Sequence, residues 1–388
     1  MVRVCSMFSQ ILRWFPRLEF EAAVKEHKAE RHARGFTCWQ QFVAMLYCQL
    51  GHAQSLREIC GGLAATEGKL RHLGILDCPK ATTLSYANAH RPWQLYQSVF
   101  YTMLGRCRSE ALSQGQRKFQ FKHKLLSLDA TMVELCAESF DWAKYKQTKG
   151  ALKLHLVLDH DGHLPCYAVM TEGKTADVTE ARKIRFQPGT LVVFDRGYSD
   201  YNWWLDLTRG GVSFVTRLKD SASYGVVESR PVLEGSNVLR DETILLVSQQ
   251  EIGPEARLRR IEVWVEEKNE TMVFVTNNLK LAARTIARIY KERWQIELFF
   301  KALKQRLKIK TFVGTTENAV QIQIWTALIA MLILKFLKLK STFGWSLSNL
   351  IALLRQQLFV HRDLWQWIND PFQSPPDLEP DLQMALPL

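Results

Sequence analysis

The chain has 388 residues, with 51 Lys+Arg against 39 Asp+Glu and a formal net charge of +12. A content of 47% hydrophobic and 23% charged residues is globular and excludes disordered and fibrous classes, and the length predicts two or three domains. Residues 1–125 carry 18 basic and 8 acidic side chains and residues 284–310 carry 9 and 2, leaving −5 for the rest. Charge gathered in two blocks points to a polyanionic partner, most often nucleic acid.

Residues 1–115 read as helical, with apolar side chains such as Phe42, Met45, Leu46 and Leu50 at three- and four-residue spacing. Arg and Pro interrupt the first twenty residues too often for a signal peptide. Ser55 and Glu58 form a capping box for a short helix that Gly61-Gly62 should end, and a second short helix follows at 66–73. Thr82 or Thr83 should cap a third, running through Ser85, Tyr86, Asn88 and Arg91 to Pro92. Short helices with a polar, Arg-bearing last member allow a helix-turn-helix reading, with an ordinary helical bundle as its equal.

The texture changes at residue 124. Residues 124–134 look like a strand, and Leu152, Leu154, Leu156 and Leu158 alternate with other residues in a period-2 pattern. Asp159-His-Asp-Gly162 supplies a turn, so 163–171 should return as a paired strand. Residues 176–185 read as a helix and 191–194 as a buried strand. Further strands are predicted at 212–218, 223–232, 244–250, 258–267 and 271–277, and helix from 281 to about 358. The apolar run 324–334, too short for a membrane span, reads as a buried core helix, and the tail from Asp370 as flexible. The eight cysteines form no C-x-x-C pair, so neither zinc nor a disulfide framework is favoured and a reducing cytoplasm is expected.

Tyr290, Arg293, Glu297 and Lys304 carry the sharpest spacing. At 100° per residue on one helix they fall within an arc of about 60°. The pattern alone fits either surface salt bridges or a metal-binding Glu with basic neighbours placed for phosphates. Asp129 and Asp195 each end an apolar run, Leu-Leu-Ser-Leu-Asp and Leu-Val-Val-Phe-Asp, which places a carboxylate at a strand's carboxyl end. Three converging carboxylates would suit hard divalent cations and phosphodiester chemistry.

Asp129 in Leu-Asp-Ala-Thr, Asp195 in Phe-Asp-Arg-Gly-Tyr, and Tyr290-x2-Arg293-x3-Glu297-x6-Lys304 together resemble the DDE transposases of bacterial insertion sequences. The Y-R-E-K spacing is similar to that of insertion-sequence family four, and the likeness covers roughly 124–340. It implies an α/β fold: an RNase H-like catalytic core over 121–340 with a β-rich insertion at about 220–280. A helical N-terminal DNA-binding region over 1–120 and a C-terminal helical segment over 341–388 complete the expected organisation. It further implies Asp129, Asp195 and Glu297 as catalytic, metal-binding residues using Mg²⁺, with Mn²⁺ able to substitute. Tyr290, Arg293 and Lys304, and on the N-terminal side Ser85, Tyr86, Asn88 and Arg91, are the expected DNA contacts. The implied partners are double-stranded DNA, as transposon ends and target, and a second copy in a homodimeric synaptic complex. No membrane is implied, and the expected place is the bacterial cytoplasm, on the nucleoid when DNA-bound.

Some members of the family pass through a DNA hairpin with an aromatic side chain of the insertion stacked on a displaced base. Trp264 is the candidate here, but it reads as mid-strand and core packing is its expected fate. Lys153 and His155, on the polar face of their strand, are weaker candidates for DNA contact. Two other readings stand beside transposition: an RNase H-like endonuclease without strand joining, and a catalytically silent DNA-binding protein.

Overall fold

The computed structural model describes residues 5–372 except 32, 34, 67–68, 114–123, 137–141, 143, 147–148 and 308–311. Residues 373–388, most of the tail expected to be flexible, therefore lie outside the described residues.

Six helices come first: α1 (Met7–Leu12), α2 (Arg17–Glu26), α3 (Cys38–Gly51), α4 (Leu56–Ala64), α5 (Ala81–His90) and α6 (Gln94–Ser113). Side-chain caps start several of them; Thr37 and Gln40 form a reciprocal capping box at α3, and Ser55 accepts from the Glu58 N–H at α4. Gly61-Gly62 does not end α4, which runs on to Ala64. A Cβ on Gly62 would stand 2.1 Å from the Tyr47 hydroxyl oxygen, so the glycine is there for close approach to α3. Of the helix expected at 66–73, residues 67–68 lie outside the described residues and Lys69–Leu73 is a short 3₁₀ turn; α5 starts without a threonine cap, Thr82 and Thr83 lying inside it.

The sheet follows: β1 (Lys124–Cys136), β2 (Lys144–Lys146), β3 (Lys149–Asp159), β4 (Leu164–Glu172), β5 (Thr190–Phe194), β6 (Ser213–Arg217), β7 (Tyr224–Ser229), β8 (Val238–Leu246), β9 (Leu258–Val265) and β10 (Glu270–Thr276). Its order is β2-β3-β1-β5-β6-β10-β9-β8-β7, with β4 also on β3. β4, β3 and β1 form an antiparallel meander, whereas β1, β5 and β6 are parallel, the RNase H-like arrangement. The insertion is not a separate layer, because β10 pairs antiparallel with β6 and carries β9, β8 and β7 outward as an extension of the same sheet. β8 begins and ends earlier than the expected 244–250, since Val247–Ile252 closes into a 3₁₀ turn.

Two helices lie between the core strands: α7 (Asp177–Ala181) and α8 (Tyr201–Arg209). The chain then continues as α9 (Ala283–Glu292), α10 (Trp294–Arg306), α11 (Glu317–Lys340), α12 (Leu347–Gln357) and α13 (Leu364–Asn369). α11 is the central beam. By length and composition it could cross a membrane, but 94% of its apolar window is buried inside the protein. One core joins it to both ends of the chain and to the sheet. Phe42, Phe100 and Leu104 of the N-terminal helices, Leu154 and Leu156 of β3, and Leu354 and Trp367 of the last helices share this core with Trp325 and Leu332. The expected boundary at 120 is therefore not a boundary of packing. The chain ends are also tied together: Ser6 bridges His361, the Met7 N–H donates to the Val360 carbonyl at 3.0 Å, and the Gln10 amide donates to the Arg362 carbonyl at 2.7 Å.

Lys335 enters this core, with its Nζ 5.3 Å from the Phe299 ring centre. Burial, reinforced by Lys338, pushes its ammonium down to about 7. The folded protein binds this proton more weakly than the unfolded chain, so Lys335 destabilises fully below pH 7 and ceases to do so as pH rises toward its ordinary value. Lys335→Met should therefore raise Tm by ~3 °C or more at pH 6 and by much less at pH 10 in calorimetry. An equal shift at both values would refute this account.

Candidate active site

Sheet register builds the first half of the site. β1 and β5 run parallel with Leu128 opposite Phe194, so the next residues, Asp129 and Asp195, stand side by side. Asp195 lies just beyond β5, as expected of a strand-end carboxylate. Asp129 does not end its strand: β1 continues to Cys136 because β3 goes on pairing with it, Asp129 opposite Leu156. Asp195 also caps the turn that follows, its Oδ1 accepting from the Gly197 N–H at 2.8 Å. A Cβ on residue 197 would lie 2.9 Å from that oxygen, which accounts for the glycine.

The second half comes from two helices rather than one. α9 ends at Glu292 and α10 starts at Trp294, with Arg293 between them and the Ile296 N–H bonded to the Arg293 carbonyl at 3.1 Å. The stripe is therefore carried by two helical segments and not one, with Tyr290 still against Arg293, whose Cζ is 5.6 Å from its ring centre. Tyr290 packs on Phe274 of the insertion, with ring centres 4.9 Å apart, and burial pushes its phenol up. Glu297 and Lys304, on α10, instead line a cavity of about 320 Å³ with Asp129, Thr131 and Lys301. Arg293 joins the two halves: its Nη2 lies 2.5 Å from Glu297 Oε1 and its Nη1 3.8 Å from Asp129 Oδ2.

Asp129 shows the electrostatic consequence. Burial, with repulsion from Asp195 and Glu297, pushes its carboxyl up to about 7, against the Ala130 N–H and the Arg293 guanidinium, which favour the charged form. Asp129 together with the two carboxylates that raise its proton affinity is an oxygen-only donor set of the kind hard divalent cations take. Among the described residues, no three His, Cys, Asp or Glu side chains are as yet gathered closely enough to hold an ion. Glu297 is turned to Arg293.

Beside this cavity opens a cleft of about 1040 Å³ between the insertion and α9. Arg284, Arg288, Lys291 and Arg293 line it together with Tyr290, Trp264 and Trp294. Trp264 lies in β9 but next to its end and not mid-strand, and it is 36% exposed on this wall and not packed in the core. Lys301 and the arginines of α9 were not singled out by spacing; the signal available for them was the basic block at 284–310.

The N-terminal candidates divide. Ser85 and Tyr86 lie on the exposed face of α5, Tyr86 stacked on His90 at 4.0 Å. Asn88 is buried, accepting from the Gln41 amide at 2.8 Å, and Arg91 donates to Gln41 Oε1 and to the Phe36 carbonyl. These two hold α5 against α3 and are not offered to a groove. Lys153 and His155 likewise turn inward, Lys153 to Asp177 at 2.9 Å and His155 to the Thr171 hydroxyl at 2.9 Å.

An RNase H-like sheet with Asp129 and Asp195 side by side where the parallel pairing of β1 with β5 stops sets the class: a phosphodiester-transferring enzyme of nucleic acid. The chain belongs to the Transposase DDE domain family, whose model matches residues 120–333. Residues 4–76 match a further family described as a domain of unknown function (DUF4372). A putative transposase y4zB from Sinorhizobium fredii (strain NBRC 101917 / NGR234) is 30% identical over 328 residues, 83% of this chain and 88% of that protein. A probable transposase for insertion sequence element IS5377 from Geobacillus stearothermophilus is 28% identical over 66% of this chain and 67% of its own length. A piggyBac transposase in a synaptic complex with hairpin DNA aligns with a TM-score of 0.46 at 8% identity over 97% of this chain and 84% of that one. The protein is thus a transposase, an enzyme that cleaves DNA and transfers strands.

Proposed function

We propose a cut-and-paste transposase of insertion-sequence family four that binds its element's ends, cuts them and joins the freed 3′-OH to target DNA. The observation that carries this reading is the register that sets Asp129 beside Asp195, with Glu297 brought to them by α10. These three would hold Mg²⁺, or Mn²⁺ in its place. A bound metal pair stabilises the attacking and leaving oxygens of phosphodiester transfer. The chain's own residues do the remaining work. Lys301 and Lys304 offer their ammonium groups to phosphates at the mouth of the carboxylate cavity, and Arg293 and the arginines of α9 offer theirs along the cleft. Trp264 and Trp294 give that cleft aromatic walls on which a displaced base could stack, which supports a hairpin route. Exposed Ser85 and Tyr86 on α5 serve contacts to the end, a second copy completes the synaptic complex, and the place of action is the cytoplasm, on the nucleoid.

Incubating the full chain with its element's end duplex, a target duplex and Mg²⁺ tests this on a denaturing gel. Cut ends together with joined products are expected. Cut ends without joining would favour the endonuclease reading, and intact DNA the silent binder.

A further inference from the structure

We infer that Arg293 is an exchangeable counter-ion: it closes the carboxylate site in the metal-free protein and leaves for DNA phosphate when a cation enters, coupling metal binding to DNA binding. The inference rests on the reading of Asp129, Asp195 and Glu297 as metal ligands.

Three observations support it. Arg293 engages two of the three carboxylates at once, Glu297 at 2.5 Å and Asp129 at 3.8 Å, so its charge stands where a cation would otherwise compensate them. The buried Nε of Arg293 has no hydrogen-bond partner among the described residues, so the guanidinium keeps a donor that its present position does not satisfy. The side chain also has somewhere to go. Arg293 also lines the basic cleft of about 1040 Å³ beside the carboxylate cavity. Its Cζ lies 5.6 Å from the Tyr290 ring centre, so that ring can guide it there.

The physical consequence is linkage. A cation must displace Arg293 from Glu297 and Asp129, so it binds more weakly than it would to the same carboxylates left bare. A phosphate in the cleft that recruits Arg293 removes the competitor and strengthens cation binding. By reciprocity, a bound cation strengthens phosphate binding by the same factor. Arg293 is on this account a positioning residue for the ligands, and it also reports when DNA has arrived.

The test uses the DNA-free full chain and Ca²⁺ alone as probe, with affinity read by titration calorimetry. Arg293→Ala should bind Ca²⁺ about ten-fold more tightly than wild type. Lys304→Ala, which removes a charge from the same cavity, should gain only about two-fold through the general field. The Arg293→Ala protein should melt below wild type without Ca²⁺ and recover when Ca²⁺ is added, whereas a merely structural arginine would lower Tm in both conditions. Should alanine fail to fold, Arg293→Gln keeps the chain length, removes the charge and should give the same gain. Ca²⁺ affinity that is unchanged or weaker, or no tighter than in Lys304→Ala, overturns the inference and leaves the ligand reading intact. Asp129→Ala separates the two. If it binds Ca²⁺ as wild type does, the ligand reading itself fails, and the inference with it.

Discussion

Alanine at Asp129, Asp195 or Glu297 should each lower end cleavage by about a thousand-fold or more, and combining them should add little, because residues that share one metal site act as a unit. Binding of end DNA should survive in all three. Asp129 carries an additional signature. Its carboxyl, pushed up to about 7 by burial and by the two other carboxylates, is held charged at a cost to the fold. A raised acid pKa means that the native state binds the proton more tightly than the unfolded chain, so stability falls as pH climbs from about 4 to about 7 and stays lower above. Asp129→Asn should therefore melt above wild type at pH 8, and the gain should vanish near pH 4. Loss of cleavage with increased stability is what a site carrying strained charge predicts. A single triad variant that cuts like wild type would remove that residue from the site.

Deleting residues 1–113 should abolish the folded catalytic region, and not merely its DNA affinity. The helices in that stretch cover α11, whose residues 319–334 are buried throughout, and Phe42, Phe100 and Trp325 belong to one core. Without them a long apolar helix would face water along its length, a loss far above typical stability margins of roughly 5–15 kcal/mol. Circular dichroism of the remaining 114–388 should show no cooperative thermal transition. A soluble, cooperatively melting fragment that still cleaves would refute the shared-core account. The contribution of the N-terminal helices to end recognition is accordingly better probed by Ser85 and Tyr86 substitutions on the exposed face of α5 than by truncation.

The chemistry was more legible than the packing. Asp129 and Asp195 stood out because each closes an apolar run; for Asp195 that run is the whole strand, whereas β1 goes on past Asp129, and the register of β1 with β5 sets the two side by side. Glu297 stood out by spacing, but the angular arithmetic assumed one uninterrupted helix. Arg293 itself keeps helical angles, φ −52° and ψ −31°, so no Gly or Pro announces the break that sends Tyr290 to the insertion. Asn88 and Arg91 share polarity with groove-reading residues, and only the fold reveals that Gln41 and the Phe36 carbonyl claim them first. α8 left a usable signal that went unread: Asp200 caps it, and Trp203, Trp204 and Leu207 repeat at helical spacing. No local pattern could show that α11 is the shared beam, since a helix apolar on all sides does not say which elements cover each side.

The clasp between Ser6 and His361 sets a schedule for making the protein. The helices built first on the ribosome pack Phe15, Phe20, Trp39 and Phe42 on one another, but the faces that cover α11 and the segment near residue 360 stay open until those have emerged, an exposed apolar surface in the growing chain. Contacts that span nearly the whole sequence also close slowly. Translation that stops short of that segment yields no smaller working version, so early termination silences the enzyme outright and leaves chaperones and proteases to clear the product.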